Sequence, residues 1–314
     1  MTSLTPEALT LLPAPDESVR CAEHTRTLGV SPGGTAITAD AVAVVEVPLP
    51  WPKPVFDHDL LQGLAGTMSL ICGTTRVFAA QPRGEAPGPR VTLFERAEVG
   101  MYSWVFDPAD HDDLLRLFDE LATSLPGAIG EPCPARPGPE LAVLVCTQGS
   151  HDVCCGSEGV RLAQELAAPG LDLFQVSHTG GHRFAPTAMT LPDGRMWADI
   201  DAPTLRSVLE LTGDPARLAS KCRGWWGAPG GPEQVAEIAV LAELGWDLDA
   251  LPRSVSTTPN SGSHWTVEVD VARQRWTADV VVARVVPTIS CRAAGGLPAK
   301  PGLEYEVASL VPPS

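Results

Sequence analysis

At 314 residues the chain is longer than one core usually needs at roughly 100–200 residues per domain, so two or three folded units are expected. With 44% hydrophobic and 19% charged residues it has the make-up of a packed protein and not of a disordered one. The 38 acidic against 22 basic residues give a formal charge of -16, which repels phosphate backbones and anionic lipid, excludes nucleic acid as the expected partner, and steers toward a protein with a basic face.

In chain order, Ala41 to Val47 reads as a strand, Leu60 to Ala65 as a short helix, and Arg76 to Ala80 as a second strand. Val91 to Phe94 and Tyr102 to Phe106 form a strand pair. A helix over His111 to Leu121 follows, with Leu114, Leu115, Leu117 and Phe118 on one face. The β-α-β-β-α order then recurs about a hundred positions on, which suggests an internal repeat. Its members are Leu141 to Val145, a helix over Glu158 to Ala168, a strand over Leu171 to Val176, and a hairpin of Ala188 to Leu191 and Arg195 to Ile200 about Pro192-Asp193-Gly194. A helix from Pro203 to Leu211 closes the unit.

A β-α-β unit with an added hairpin and closing helix is the layout of a thioredoxin-like domain, with the loops after its first two strands meeting at one end of the sheet. The expected fold is α/β: two thioredoxin-like units, over residues 1–125 and 140–213, joined by a Pro/Gly-rich linker at 126–139. Residues 214–314 form a C-terminal α+β extension, with a helix over Pro232 to Leu244 and a hairpin of Trp265 to Val271 and Trp276 to Val286. No apolar run reaches the ~18 residues of a membrane span, and the N-terminal stretch lacks the layout of a signal peptide, so the expected compartment is the cytoplasm.

The 8 cysteines lack the density of a disulfide scaffold, and in a reducing compartment clustered cysteines point to metal or redox chemistry. The first strand of the second unit runs into Cys146-Thr-Gln-Gly-Ser-His-Asp-Val-Cys154-Cys155-Gly156, and the second strand ends in Ser177-His178-Thr-Gly-Gly-His182. Two thiolates and two imidazoles from neighbouring loops suit zinc or iron-sulfur and not calcium or magnesium. The eight residues between Cys146 and Cys155 are a wide span for zinc and suit a two-iron rhomb, and glycines 149, 156, 159, 180 and 181 allow close backbone approach to it.

The pattern Cys146-x8-Cys155 followed by His178-Thr-Gly-Gly-His182-Arg-Phe-Ala-Pro resembles the sucrase/ferredoxin-like family, more loosely over residues 15–250. That resemblance implies a 2Fe-2S cluster on Cys146, Cys155, His178 and His182 in an electron carrier, with Cys154 the alternative to Cys155. Imidazole in place of thiolate makes the oxidised site less negative, so the potential should be comparatively high and, through the outer ring nitrogens, pH-dependent. The competing expectations are a structural Cys2His2 zinc site in a binding protein and a thiol oxidoreductase using Cys154 and Cys155. No carboxylate pair stands out for hydrolysis.

Other residues have plainer roles. Asp152 is expected to cap the following helix, with a supporting bond to a metal ligand as the alternative; Arg183 to face solvent or a partner; and Trp225 and Trp226 to pack in the core, with a surface patch as the alternative. The loops of the first unit that match the ligand loops, Pro48 to Trp51 and Gln81 to Gly84, carry no thiol or imidazole, so that unit is degenerate. Cys21 and His24 could offer ligands to a second site, but nothing nearby in sequence completes a set of four, so packing is their expected role, and Cys72, Cys133, Cys222 and Cys291 read as isolated thiols.

Overall fold

The computed structural model describes residues 4–84 and 88–313; the first three residues of the expected N-terminal unit, residues 85–87 and the last residue of the expected C-terminal segment lie outside the described residues. The fold is mixed α/β with one large sheet, one small sheet and a few helices. The strands are β1 Ala41–Glu46, β2 Thr67–Leu70, β3 Gly73–Ala80, β4 Val91–Arg96, β5 Met101–Phe106, β6 Arg136–Pro137, β7 Ala142–Cys146 and β8 Asp172–Val176. They continue as β9 Ala188–Leu191, β10 Arg195–Trp197, β11 Cys222–Trp225, β12 Arg253–Pro259, β13 His264–Val271, β14 Gln274–Thr288 and β15 Lys300–Val311. The α-helices are α1 Pro6–Leu9, α2 Cys21–Thr27, α3 His111–Leu121, α4 Val160–Leu166, α5 Ala202–Leu209, α6 Pro215–Leu218 and α7 Gly231–Leu244.

The large sheet runs β11-β10-β9-β7-β8-β3-β1-β4-β5-β6, with β2 paired to β3. Within it the order β3-β1-β4-β5 repeats as β8-β7-β9-β10. In each set the first two strands are parallel and the others antiparallel. β1 (AVAVVE) and β7 (AVLVC) are buried along their whole length because each is a central strand with both faces covered, which is why they read as unbroken apolar runs. The two sets meet where β3 and β8 end, antiparallel, at the Ala80–Val176 pair. Two flanking backbone bonds, Gln81 N–H to Gln175 O and Ser177 N–H to Ala79 O, continue that seam.

Several elements differ from their expected form. Residues 60–65 make no helix; a 3-10 turn at Asp59–Leu61 stops before Gly63, whose φ of +87° takes the chain out of the helical region. The helix expected over 158–168 opens as a π-turn, Cys155–Gly159, and ends at Leu166. In residues 126–139, Arg136–Pro137 adds an edge strand to β5 and Cys133 is buried in the core of the first set. The hairpin β9/β10 turns at Gly194, whose φ of +72° and contact with the Trp226 ring leave no space for a Cβ. Trp225 and Trp226 are buried.

The hairpin β13/β14 lies inside a four-stranded antiparallel sheet, β12-β13-β14-β15. α7 is packed on more than one side, with Val235, Val240 and Leu241 against β13 and β14 and Gln234 bonded to Ala36. A charged knot ties this sheet to the large one. Arg195, fully buried on β10, makes a bidentate pair with Glu237 of α7 (2.8 Å twice) and a second with Asp249 (2.7 and 2.9 Å), which also binds Arg253 at the start of β12. Removing one charge from such a set strands the others in a low dielectric. Glu237→Gln is therefore expected to lower stability by about 3–5 kcal/mol in chemical denaturation.

Candidate metal centre

β7 and β8 are parallel, so their C-terminal ends lie together, and the loops that follow them, 147–154 and 177–181, meet there. The strand-to-helix crossing is tight. A Cβ on Gly159 would stand 2.0 Å from the Cys146 carbonyl oxygen, and one on Gly156 would stand 2.4 Å from the Gly149 Cα. Only glycine lets the π-turn sit directly on the end of β7 with Cys155 turned back toward Cys146.

Donor atoms of Cys146, Cys155 and His178 all lie within 4.8 Å of one another. Both thiols are about 1% exposed. The Cys146 thiol is held well below its ordinary pKa by the adjacent Cys155 thiol and then by the His178 imidazole, against the cost of burial. Cys155 is pushed up by the same Cys146 contact and by burial. His178 is positioned through its backbone: its N–H donates to Gln148 Oε1 (3.0 Å), and Gln148 Nε2 donates to Pro52 O (2.9 Å). Its Nδ1 is buried with no hydrogen-bond partner among the described residues, an unfavourable state for an imidazole nitrogen that a metal bond would relieve. The soft thiol pair and this free nitrogen suit a thiophilic metal or an iron-sulfur cluster.

His182 lies next to this group, its ring centroid 5.9 Å from that of His178, and outside the three-residue set. Gly180 and Gly181, at φ of +79° and +67°, form the turn between the two histidines. His182 Nδ1 is 3.0 Å from Asp152 Oδ2 and 3.2 Å from Cys21 Sγ, which leaves Nε2 as its free nitrogen. Asp152 also accepts the Cys154 N–H (2.8 Å), so it caps the helix as expected and orients His182 as well; its carboxyl is drawn down to about 2 by the His182 and Cys154 bonds, which outweigh burial.

Cys154 and Cys155 face different ways. Cys154 belongs to a second group with Cys21, Asp152 and Cys291, whose donor atoms also lie within 4.8 Å of one another. Cys21 and Cys291 are thus neither isolated nor simple packing residues. The contacts span 131 to 270 positions of sequence, too far for spacing to signal them. The Cys154 thiol is lowered to about 6 by its bond with Cys21, then by the Ala22 amide and Cys291, against burial.

Three further residues shape the site without standing out in the ligand pattern of the sequence. The His151 ring stacks on His178 at 3.7 Å, and burial with the nearby His178 lowers it to about 4. Its signal was its place within the thiol loop. Arg223 is buried behind the histidine loop, donating to Gly180 O (3.2 Å) and to Thr35 O. Burial lowers its pKa to about 10, against the favourable nearby thiols of Cys146 and Cys155. No sequence signal marked it, since the strand Cys222–Trp225 that carries it emerged only in the structure. Arg183, expected to face solvent or a partner, is buried instead, donating to Thr288 Oγ1 (2.8 Å) in space left by Gly302.

A family profile described as Sucrase/ferredoxin-like matches residues 33–224, and the chain belongs to that family. No curated protein and no solved structure matches the chain. The matched span covers both repeats of the large sheet and leaves out Cys21 and Cys291. Among the described residues, no helix is long and apolar enough to cross a membrane.

Gly159→Ala drives a methyl group into the end of β7. It should cost about 1–3 kcal/mol, read as a lower denaturation midpoint, because backbone cannot give way as a flexible side chain does.

Proposed function

We propose that the protein is a one-electron carrier holding a 2Fe-2S cluster on Cys146, Cys155, His178 and His182. The observations that carry this are the close group of Cys146, Cys155 and His178 donors, Cys146 with its proton readily lost, and a buried His178 Nδ1 with no hydrogen-bond partner among the described residues. Family membership supports it, and so does the Asp152 bond that holds the His182 ring from the far side, an arrangement common for metal-bound imidazoles. Each repeat of the large sheet is read as a thioredoxin-like unit. The first, without ligands, acts as a wall, and residues 126–139 are the join.

When bound, the cluster supplies a reversible one-electron couple. The chain sets its terms. Arg223 places a buried positive charge near both thiols, which favours the more negative reduced state. Two neutral imidazoles in place of thiolates raise the potential further. Imidazole nitrogens turned from the metal exchange protons, and they hold them more tightly in the reduced state, so the potential falls as pH rises, by at most about 59 mV per unit for one proton per electron. His182, whose side chain is 24% exposed, lines a cleft of about 490 Å³ with Lys53, His151 and Cys291 and is the route for electrons to a protein partner. The charge of -16 favours a partner with a basic face, in the cytoplasm.

Protein purified in air should be coloured and hold two irons per chain by elemental analysis. An iron-free chain carrying zinc on Cys146 and Cys155 would establish a structural zinc site in its place. His178→Cys and His182→Cys should each lower the potential by on the order of 100 mV and flatten its pH dependence in protein-film voltammetry, as expected when thiolate replaces imidazole. A wild-type potential that does not move with pH removes the proton-coupled part.

A further inference from the structure

Outside the proposed cluster, Cys21, Asp152, Cys154 and Cys291 form a second set of metal donors, brought together from α2, the thiol loop and the segment after β14. Cys21 and Cys154 are fully buried and Asp152 is 7% exposed. Three of the six donor pairs in the set stand at the spacing of a tetrahedron's edges, and the rest lie within 4.8 Å. With Zn–S of about 2.3 Å, two tetrahedral thiolates lie about 3.8 Å apart, and a thiolate and a carboxylate oxygen at about 2.0 Å from zinc lie about 3.5 Å apart. Here Cys21 and Cys154 Sγ are 3.8 Å apart, and Cys154 and Cys291 Sγ are 3.6 Å apart. Cys21 Sγ is 3.4 and 3.6 Å from the two Asp152 oxygens.

We propose that these four residues bind one Zn2+ ion as a closed structural site. Three thiolates and a carboxylate leave a charge of −2 on the site, and neighbours offset it. The Cys21 N–H donates to Cys291 Sγ (3.4 Å), the Cys154 N–H donates to Asp152 Oδ1 (2.8 Å), and buried Arg183 lies within electrostatic reach of Cys21. Four protein ligands and no open position are the arrangement of structural zinc, and the thiol character disfavours magnesium or calcium. The ion pins α2 and the segment after β14, whose ligands Cys21 and Cys291 fall outside the family match, onto the loop that carries Asp152 and Cys154.

Zinc and iron are counted separately by mass spectrometry of the purified full chain, so this site does not depend on the cluster. The wild type should hold one zinc per chain. Cys155→Ser should lose iron and keep the zinc, and Cys291→Ser should lose the zinc and keep any iron. Should Cys291→Ser not fold, Co2+ added to metal-depleted Cys155→Ser decides the matter: a thiolate-to-cobalt charge-transfer band with tetrahedral d–d bands at one equivalent supports the site. A wild-type chain without zinc that shows no such bands, zinc retained at one equivalent in Cys291→Ser, or a Cys21–Cys154 or Cys154–Cys291 disulfide found on peptide mapping would overturn it.

Discussion

The seam between β3 and β8 is the constraint on which the rest depends. It is short, one paired position with a backbone bond on each side, and it joins two strands that run in opposite directions at the point where both end. Because β1 is parallel to β3 and β7 is parallel to β8, all four strands finish near that seam. The loop after β1 therefore lies against the loop after β7. Lys53 Nζ donates to His151 O (3.0 Å), Gln148 donates to Pro52 O, and the Ala79 N–H donates to Ser177 Oγ (3.1 Å). The first repeat, which gives no residue to the Cys146, Cys155 and His178 group, still shapes the site, since a sheet end left open to water would leave His178 hydrated and its nitrogen satisfied.

Burial sets the electrostatics of this region. Thiols inside a protein resist ionisation unless a donor or a cation lies beside them. The chain supplies Arg223 and Arg183, each buried, each lowered to about 10 by that burial, and each anchored to backbone or hydroxyl oxygen with no carboxylate bond among the described residues. Glu304 and the Cys21 thiol offset the cost at Arg183, and the Cys146 and Cys155 thiols do so at Arg223. A carboxylate bonded directly to either arginine would have cancelled much of its field at the thiols.

What was legible in the sequence was local. The buried runs of β1 and β7, the turn at Gly194 and the His178-x3-His182 loop each carry their signal within about ten residues, as period, turn chemistry or donor spacing. The short apolar stretch at 60–65 had the period of a helix and not the length, and Gly63 decided it. Arg183 and Arg223 were opaque for a different reason. A single arginine in sequence reads as surface, and only the packing of Thr288 and Gly302 over one, and of Gly180 and Thr35 over the other, puts them inside. The gathering of Cys21 and Cys291 depended on tertiary structure altogether.

The neighbouring thiols of Cys154 and Cys155 show how the loop is divided. A helix advances about 100° per residue, so two consecutive side chains at its start cannot share one target. Cys155 faces Cys146 and His178, and Cys154 faces Cys21 and Cys291. Asp152 lies between, bonded to the amide of Cys154 and to the ring of His182. Sliding the loop by one residue to favour either group would put the wrong thiol in both and release the histidine. Its register is thus held from two sides at once, by the glycine contacts beneath Cys155 and by the N-terminal and C-terminal segments that close over Cys154.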